Sequence, residues 1–338
     1  MKEQHAVRSS RREFMGRAGL AAAASFLSMP RAESAAEPPP ETTTLRTAHG
    51  NTMCEAPQSF AEELLRADGF TDVRYVVTQN VDQDLAAGKV DMVLRYSAPL
   101  SVLLDNGVPV VILAGVHIGC IDLFVSKEVR SVRELKGRRV AKDKAIGNAT
   151  DLFLASILAH VGLHPHRDVQ WVDTPLAEWP AGLTAGKLDG FLSWPPYAQE
   201  LREKQFGRVI LSTATDRPWS QYFCCMVAAR KEYVEKYPVA TKRALRAFLK
   251  ATDVCAQEPG RVARWLVDRG YTKRIEIAER MLRELPYNKW REYDPEDTFR
   301  FYALRLHESG LIKSSPKKLI AQGTDWRFLN ELKKELKG

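Results

Sequence analysis

The residues best equipped for chemistry in this chain are its sulfur and imidazole donors. Five cysteines stand at Cys54, Cys120, Cys224, Cys225 and Cys255 among 338 residues. An odd number of thiols leaves at least one free in an oxidising compartment. No C-x-x-C pair occurs, and no Cys/His spacing matches a zinc motif, so the sequence assigns no metal ligand and no cofactor. One alternative stays open on donor type alone. Met53, Cys54, His117, Cys120 and Cys224 are soft ligands that could converge on Cu(I), although spacing gives no support for it. The plain reading of Cys225 and Cys255 is that of small buried apolar residues. His164-Pro165-His166 reads as a solvated turn. No catalytic residue is assigned, because no G-x-S-x-G, H-E-x-x-H or P-loop pattern appears.

Such donors need a scaffold, and the chain reads as alternating strands and helices. Strands are expected at 44–49, 73–78, 120–126 and in the β-branched run "VPVVILAG". Helices are expected at 56–69, closed by Gly69, and in the apolar-striped "ATDLFLASILAHVGL". From Lys231 onward the pattern is nearly all helix. Alternation of this kind argues for mixed sheets flanked by helices.

A coarse internal echo organises the rest. "DLAAGKVDMVLRYSAPL" (84–100) and "GLTAGKLDGFLSWPPYA" (182–198) share one frame. A helix ends at Gly88 or Gly186, a short buried strand follows, and a loop at its carboxyl end opens the next helix. Ligands of open α/β sheets sit at such carboxyl ends. Two units of this kind predict two lobes facing each other across a cleft.

The amino terminus carries its own signal. Lys2, Arg8, Arg11, Arg12 and Arg17 precede an apolar run from Ala18 to Met29, then small residues and "EPPPETTT". That is the order of a bacterial export signal. Arg11-Arg12-Glu13-Phe14 is similar to the twin-arginine type, which is read by a receptor and implies export in the folded state. The expected cleavage follows residue 36, with a flexible linker at 37–43. No cysteine lies near it, which argues against a lipid anchor. Residues 1–36 hold 6 of the 50 Lys and Arg and 3 of the 42 Asp and Glu. The remainder therefore carries +5, mild and spread out, with none of the basic blocks that mark a nucleic-acid partner.

With the frame in place, the chain resembles the periplasmic substrate-binding proteins of ABC importers for nitrate, sulfonates and taurine, a group that also includes thiamine-pyrimidine-related proteins. The resemblance rests on "LRTAHGN", "LAAGKVDMVL", "VPVVILAG", "ELKGRRVA", "GNATDLFL", "LTAGKLDGFLSWPPYAQ" and "YVEKYPVATKRALRAFLKA" in that order. It implies an α/β, two-lobed periplasmic-binding-protein fold of type II. Residues 44–119 and 226–338 would form lobe 1, and residues 120–225 lobe 2. The crossings are expected near Gly119–Phe124 and Gln221–Ala228. The expected function is capture of a small organic ligand, anionic or aromatic/heterocyclic, by a monomer that closes and delivers it to a membrane permease with its ATPase. Strand-end and hinge positions then give the ligand-site candidates: Asn51, Thr52, Met53, Tyr96, Ser97, His117, Cys120, Asn148, Thr150, Trp194, Tyr197, Tyr222 and Cys224. Backbone N–H groups at helix starts, with Asn148 and Thr150, would suit an anion. The aromatic residues would suit a ring or an organic tail. Trp194-Pro195-Pro196-Tyr197 departs from the family's usual Trp-Glu-Pro-Tyr, and Gly147-Asn148-Ala149 departs from its usual Gly-Ser/Thr. An enzyme of the thiamine-pyrimidine synthase kind is the other reading. It lacks support here: no lysine lies in residues 45–55, and the Cys-rich run shrinks to Cys224-Cys225.

Overall fold

A computed structural model describes residues 37–49, 52–78, 80–144 and 149–337. The export signal (1–36), Asn51 and Asn148 lie outside the described residues.

β-Branched and apolar runs fold as the strands that alternation predicts. Strands β1 (Thr44–His49) and β2 (Asp72–Val77) pair in parallel, connected through the helices Ala56–Phe60 and Glu62–Ala67. β3 (Met92–Tyr96) and β4 (Val110–Ile118) flank β10 (Phe223–Arg230), which runs antiparallel to both. Every residue of β4 is buried, as expected of a strand that is apolar except at His117 and is covered on both faces. The second lobe holds a five-stranded mixed sheet in the order β7-β6-β8-β5-β9. Its strands are β5 (Asp122–Val125), β6 (Arg139–Lys142), β7 (Gln170–Asp173), β8 (Gly190–Ser193) and β9 (Arg208–Ser212). The chain passes from the three-stranded sheet to the five-stranded one after β4, and returns after β9 through β10. From Lys231 to Glu335 the described elements are helical.

The sequence echo acquires a physical meaning here. In the first unit, Gly88 leaves its helix with φ +70°, and Asp91 then grips Arg46 at the start of the sheet. The Asp91 carboxylate accepts from the Arg46 backbone N–H (2.9 Å), Nε (2.9 Å) and Nη2 (2.6 Å), while the Asp91 N–H donates to the Arg46 carbonyl (2.7 Å). In the second unit, Gly186 (φ +65°) precedes Asp189, which accepts from the Arg139 N–H (2.9 Å), Nε (2.9 Å) and Nη2 (3.2 Å) and donates to the Arg139 carbonyl (2.8 Å). The aspartate of each frame is therefore a latch between neighbouring strands. It makes paired charge-assisted hydrogen bonds that hold the following strand, and so its carboxyl end, in register.

The expected helix at 56–69 is in fact a 3-10 turn (Met53–Glu55) and two short helices parted at Ala61, where φ and ψ are −73° and −5°. The tighter first turn draws Met53, Cys54 and Glu55 inward, and all three are buried. One aromatic cluster, separate from the main core, fills the second lobe around Phe124, Trp179, Phe191 and Trp194.

Candidate functional site

The two strand-end loops meet. The Met53 N–H donates to the Pro195 carbonyl across the cleft at 3.4 Å. Around this contact, groups from the helix Tyr197–Glu203 bond to the helix Ile275–Glu284. Gln199 Nε2 donates to Glu284 (3.2 Å), and Arg202 pairs with both Glu284 and Asp122. Arg274 reaches Glu203 at 3.0 Å. The clasp holds the lobes together in this conformation.

The aromatic candidates divide between them. Trp194 stands edge-on to Trp179 (6.3 Å) and to Tyr197 (6.2 Å), at the margin of the second lobe's aromatic cluster. Tyr197 is half-exposed and rims a pocket of about 350 Å³ shared with Trp179, Phe191 and Leu201. Tyr222 stacks on Phe301 of the helix Pro295–Glu308, with ring centroids 4.1 Å apart. Thr150 is buried in the first turn of the helix Ala149–His160. Next to it, burial holds the Asp151 carboxyl up at about 6 against the nearby Lys142 charge. Thr52 sits partly exposed beside Met53. Ser97 spends its hydroxyl on the Phe223 (2.7 Å) and Cys224 (3.1 Å) carbonyls, pinning the start of its helix to β10.

The sulfur candidates converge. The sheet register places Tyr96, Cys225 and His117 opposite one another across β3, β10 and β4. Neighbours in register share a face, so this row points one way. Register shifts at Cys225 distort β10 locally. Cys54 arrives from the 3-10 turn, with its Sγ 3.7 Å from the Tyr96 hydroxyl. Cys120 arrives from the crossing after β4, its backbone N–H bonded to the Thr213 hydroxyl (3.2 Å). The result is a buried group in which Cys54 Sγ, His117 nitrogen, Cys120 Sγ and Cys225 Sγ all lie within 4.8 Å of one another. Cys224 adds a fifth donor, with its Sγ 3.0 Å from that of Cys120. All five thiols of the chain are free and buried, and Cys255 stands in the main core.

Imidazole and thiols are tuned by this crowding. His117 Nδ1 contacts the carbonyl of Gly119 at 2.9 Å. A carbonyl only accepts, so Nδ1 donates a proton to that contact. Nε2 is buried and has no hydrogen-bond partner among the described residues. Burial opposes ionisation of the Cys224 thiol, yet hydrogen bonds from Cys120 and Cys225 outweigh it and bring the thiol down to about 7. Cys225 is lowered as well, burial being offset by Cys120 and His117. Burial raises Cys120 far above the ordinary thiol range. Tyr287, from the helical region, closes the group from above. Its ring stands 5.2 Å from His117, and its hydroxyl donates to the Cys54 carbonyl (3.1 Å).

Sequence reasoning missed several members. Cys225 read as a buried filler, and Glu55, Arg95 and Tyr287 were not singled out. Burial holds the Glu55 carboxyl up at about 8. Arg95 is half-buried in an ion pair with Asp82 at 2.6 Å. The helical C-terminal region carried no local signal that Tyr287 and Glu284 would fold back onto the site.

Comparison with known proteins bears on the fold. The nitrate/nitrite binding protein NrtA of a Nostoc species is 25% identical over 335 aligned positions, covering 84% of this chain and 76% of that protein. The crystal structure of the periplasmic nitrate-binding protein NrtA from Synechocystis superposes with a TM-score of 0.73 at 17% identity, covering 89% of this chain and 90% of that one. The alkanesulfonate-binding protein SsuA of Xanthomonas axonopodis, bound to MOPS, gives 0.67 at 18% identity, covering 86% and 100%. These likenesses establish the periplasmic-binding-protein fold. The model of the NMT1-like family matches residues 39–265, two thirds of the chain, and the protein belongs to that family.

Proposed function

We infer that the protein is the substrate-binding component of an ABC importer, which closes two lobes on a small ligand and delivers it to a membrane permease driven by an ATPase. The observation that carries this reading is the meeting of the two strand-end loops at Met53 and Pro195 inside an interlobe clasp. Closure of two rigid lobes around a ligand is the hinge motion such folds perform. Transport by binding, with no chemical step, fits relatives that are themselves named as binding proteins. The periplasmic relatives support a periplasmic protein; the Arg11-Arg12 signal adds the proposal of folded export by the twin-arginine route, and we propose that the protein works as a monomer. Among the described residues, no helix is long and apolar enough to cross a membrane.

The ligand we propose is a small organic anion with an aromatic or heterocyclic part. Nitrate and an alkanesulfonate buffer are the anions named for the relatives. Tyr96, Trp194 and Tyr197 offer more aromatic surface than a bare oxyanion needs. Thr52 and Thr150 would line the polar side. Ser97 and Tyr222 are already engaged within the protein and would support the site from behind.

A thermal-shift screen of nitrate, bicarbonate, sulfonates, carboxylates and heterocyclic acids tests this, with calorimetry on each hit. A true ligand at one hundred times its Kd stabilises by about 2.7 kcal/mol. Trp194→Ala is expected to weaken that ligand. Undiminished affinity would remove Trp194 from the site, and conversion of a bound compound to product would overturn the transport reading.

A further inference from the structure

We propose that Cys54, His117, Cys120 and Cys225 form a closed site for one thiophilic d10 cation, Zn2+ or Cu+, at the junction of the two crossings. Four donors of three thiolates and one imidazole are a complete tetrahedral set. Zn–S bonds of about 2.3 Å put tetrahedral sulfurs about 3.7 Å apart, so a group already within 4.8 Å needs only a small contraction.

Two further observations favour a ligand over simple packing. Four donor side chains from three separate stretches of the chain share one buried volume, although a buried unpaired polar atom is costly. His117 Nε2 is such an atom among the described residues, and the Gly119 carbonyl engages the far nitrogen, Nδ1. A backbone carbonyl on the far nitrogen is the usual orienting partner of a metal-bound imidazole. The backbone is held as well. Cys120 adopts φ +155°, a region L residues rarely occupy, while its N–H and that of Ile121 are bonded to the Thr213 hydroxyl.

Binding would release the three thiol protons to solvent and leave the imidazole neutral. Zn2+ with three thiolates carries a net charge of −1, and Cu+ carries −2. Cys224 stands outside the four donors, with its Sγ 3.0 Å from that of Cys120. Export in the folded state would let the ion load where thiols stay reduced.

The test uses the full chain, reduced, freed of metal by a chelator, and titrated anaerobically with Zn2+ and with Cu+ in separate experiments. Native mass spectra and metal analysis are expected to show one ion per chain, retained through gel filtration. The ion retained tells zinc from copper. Cys225→Ser and His117→Gln are expected to lose it, while Cys255→Ser, a buried thiol outside the group, keeps it. Far-UV spectra of all three variants confirm folding, and Co2+ gives a second readout, since a thiolate-rich tetrahedral site colours it. The proposal is overturned if the folded wild-type chain retains neither ion, or if Cys225→Ser retains it as well as wild type does. The anion screen reads affinity for a different compound, so failure of either reading leaves the other standing.

Discussion

In the first lobe, Gly88 turns the chain out of its helix, Asp91 latches Arg46, and β3 delivers Tyr96 to a sulfur-rich junction. In the second, Gly186 makes the same turn, Asp189 latches Arg139, and β8 delivers Trp194 to an aromatic cluster. The latches match bond for bond, while the chemistry at the strand ends differs. The aromatic end is packed: Trp179 is fully buried, its Nε1–H donates to the Thr174 carbonyl (2.9 Å), and its ring lies 5.5 Å from Phe191. The sulfur end is buried yet holds an unpartnered imidazole nitrogen. A repeated frame thus carries stability, and the residues just past it end in an aromatic group packed through Trp179 in one lobe and in a sulfur group with an unpartnered imidazole nitrogen in the other.

The sharpest way to break this division is Trp179→Ala. Loss of a buried tryptophan costs about 3–5 kcal/mol, and here it also orphans the Thr174 carbonyl. Urea denaturation is expected to show a loss of that size. A loss below about 1 kcal/mol would mean the second lobe's aromatics are not its core.

The latches come next and should not be equal. Asp91 is 4% exposed and faces Arg230 (3.4 Å) as well as Arg46, so Asp91→Ala leaves two guanidinium groups short of a partner in a largely buried place. A cost of about 2–3 kcal/mol is expected, reduced from the fully buried case because Arg46 still reaches water. Asp189→Ala should cost less, since Arg138 and Arg139 are both more than 40% exposed. Equal losses would show that backbone register, not burial of the charge, sets the latch's value. Acid gives an independent check. Burial raises the Asp189 carboxyl, but the Arg139 side-chain and backbone hydrogen bonds outweigh it and hold it below the usual range. Its contribution is therefore present above the unfolded value near 3.9 and is lost as pH falls through the lower folded value.

Much of this frame was legible from the residues. Strands β1, β2 and β4 lie where the sequence predicts them, and the glycine stops fall where the chain needs positive φ. The Asp of each A-G-K-x-Asp frame was visible as a repeat, but its latch function was not, because Arg46 and Arg139 lie 45 and 50 residues away. The sulfur group was illegible for a related reason. Metal motifs are read from local spacing, whereas here Tyr96, Cys225 and His117 align through strand register, which periodicity does not encode. The same blindness hid Tyr287 and Glu284, which return to the site through the fold of the helical region.

A smaller effect probes the second lobe's strand ends from the solvent side. Asp151 is held up at about 6 chiefly by burial, with Lys142 opposing. Its folded value exceeds its unfolded one, so its contribution is full below about pH 4 and is lost as pH rises through 6. Asp151→Asn is expected to flatten the stability profile between those limits by about 1–2 kcal/mol. An unchanged slope would place that carboxyl in water, and an anion would then meet no buried negative charge beside Thr150.

The smallest effect is the most telling for the comparison. In the metal-free chain, Cys225→Ala removes one sulfur atom from a packed row and no hydrogen bond on which the backbone depends. About 1 kcal/mol is the expected loss, in keeping with a small apolar residue trimmed by a single heavy atom. If the loss instead approaches that of Trp179→Ala, the thiols are core like the aromatics, and the two strand ends differ in composition only. If it stays small, three thiols and an imidazole occupy the protein's centre without being needed to fold it. Their convergence then calls for an occupant, because buried polar groups in native cores are ordinarily hydrogen-bonded or ligated. Adding Zn2+ or Cu+ should convert this small term into a large one, since stabilisation by an ion that binds only the folded chain grows with the logarithm of its concentration over Kd. Wild-type protein would gain it and Cys225→Ala would not.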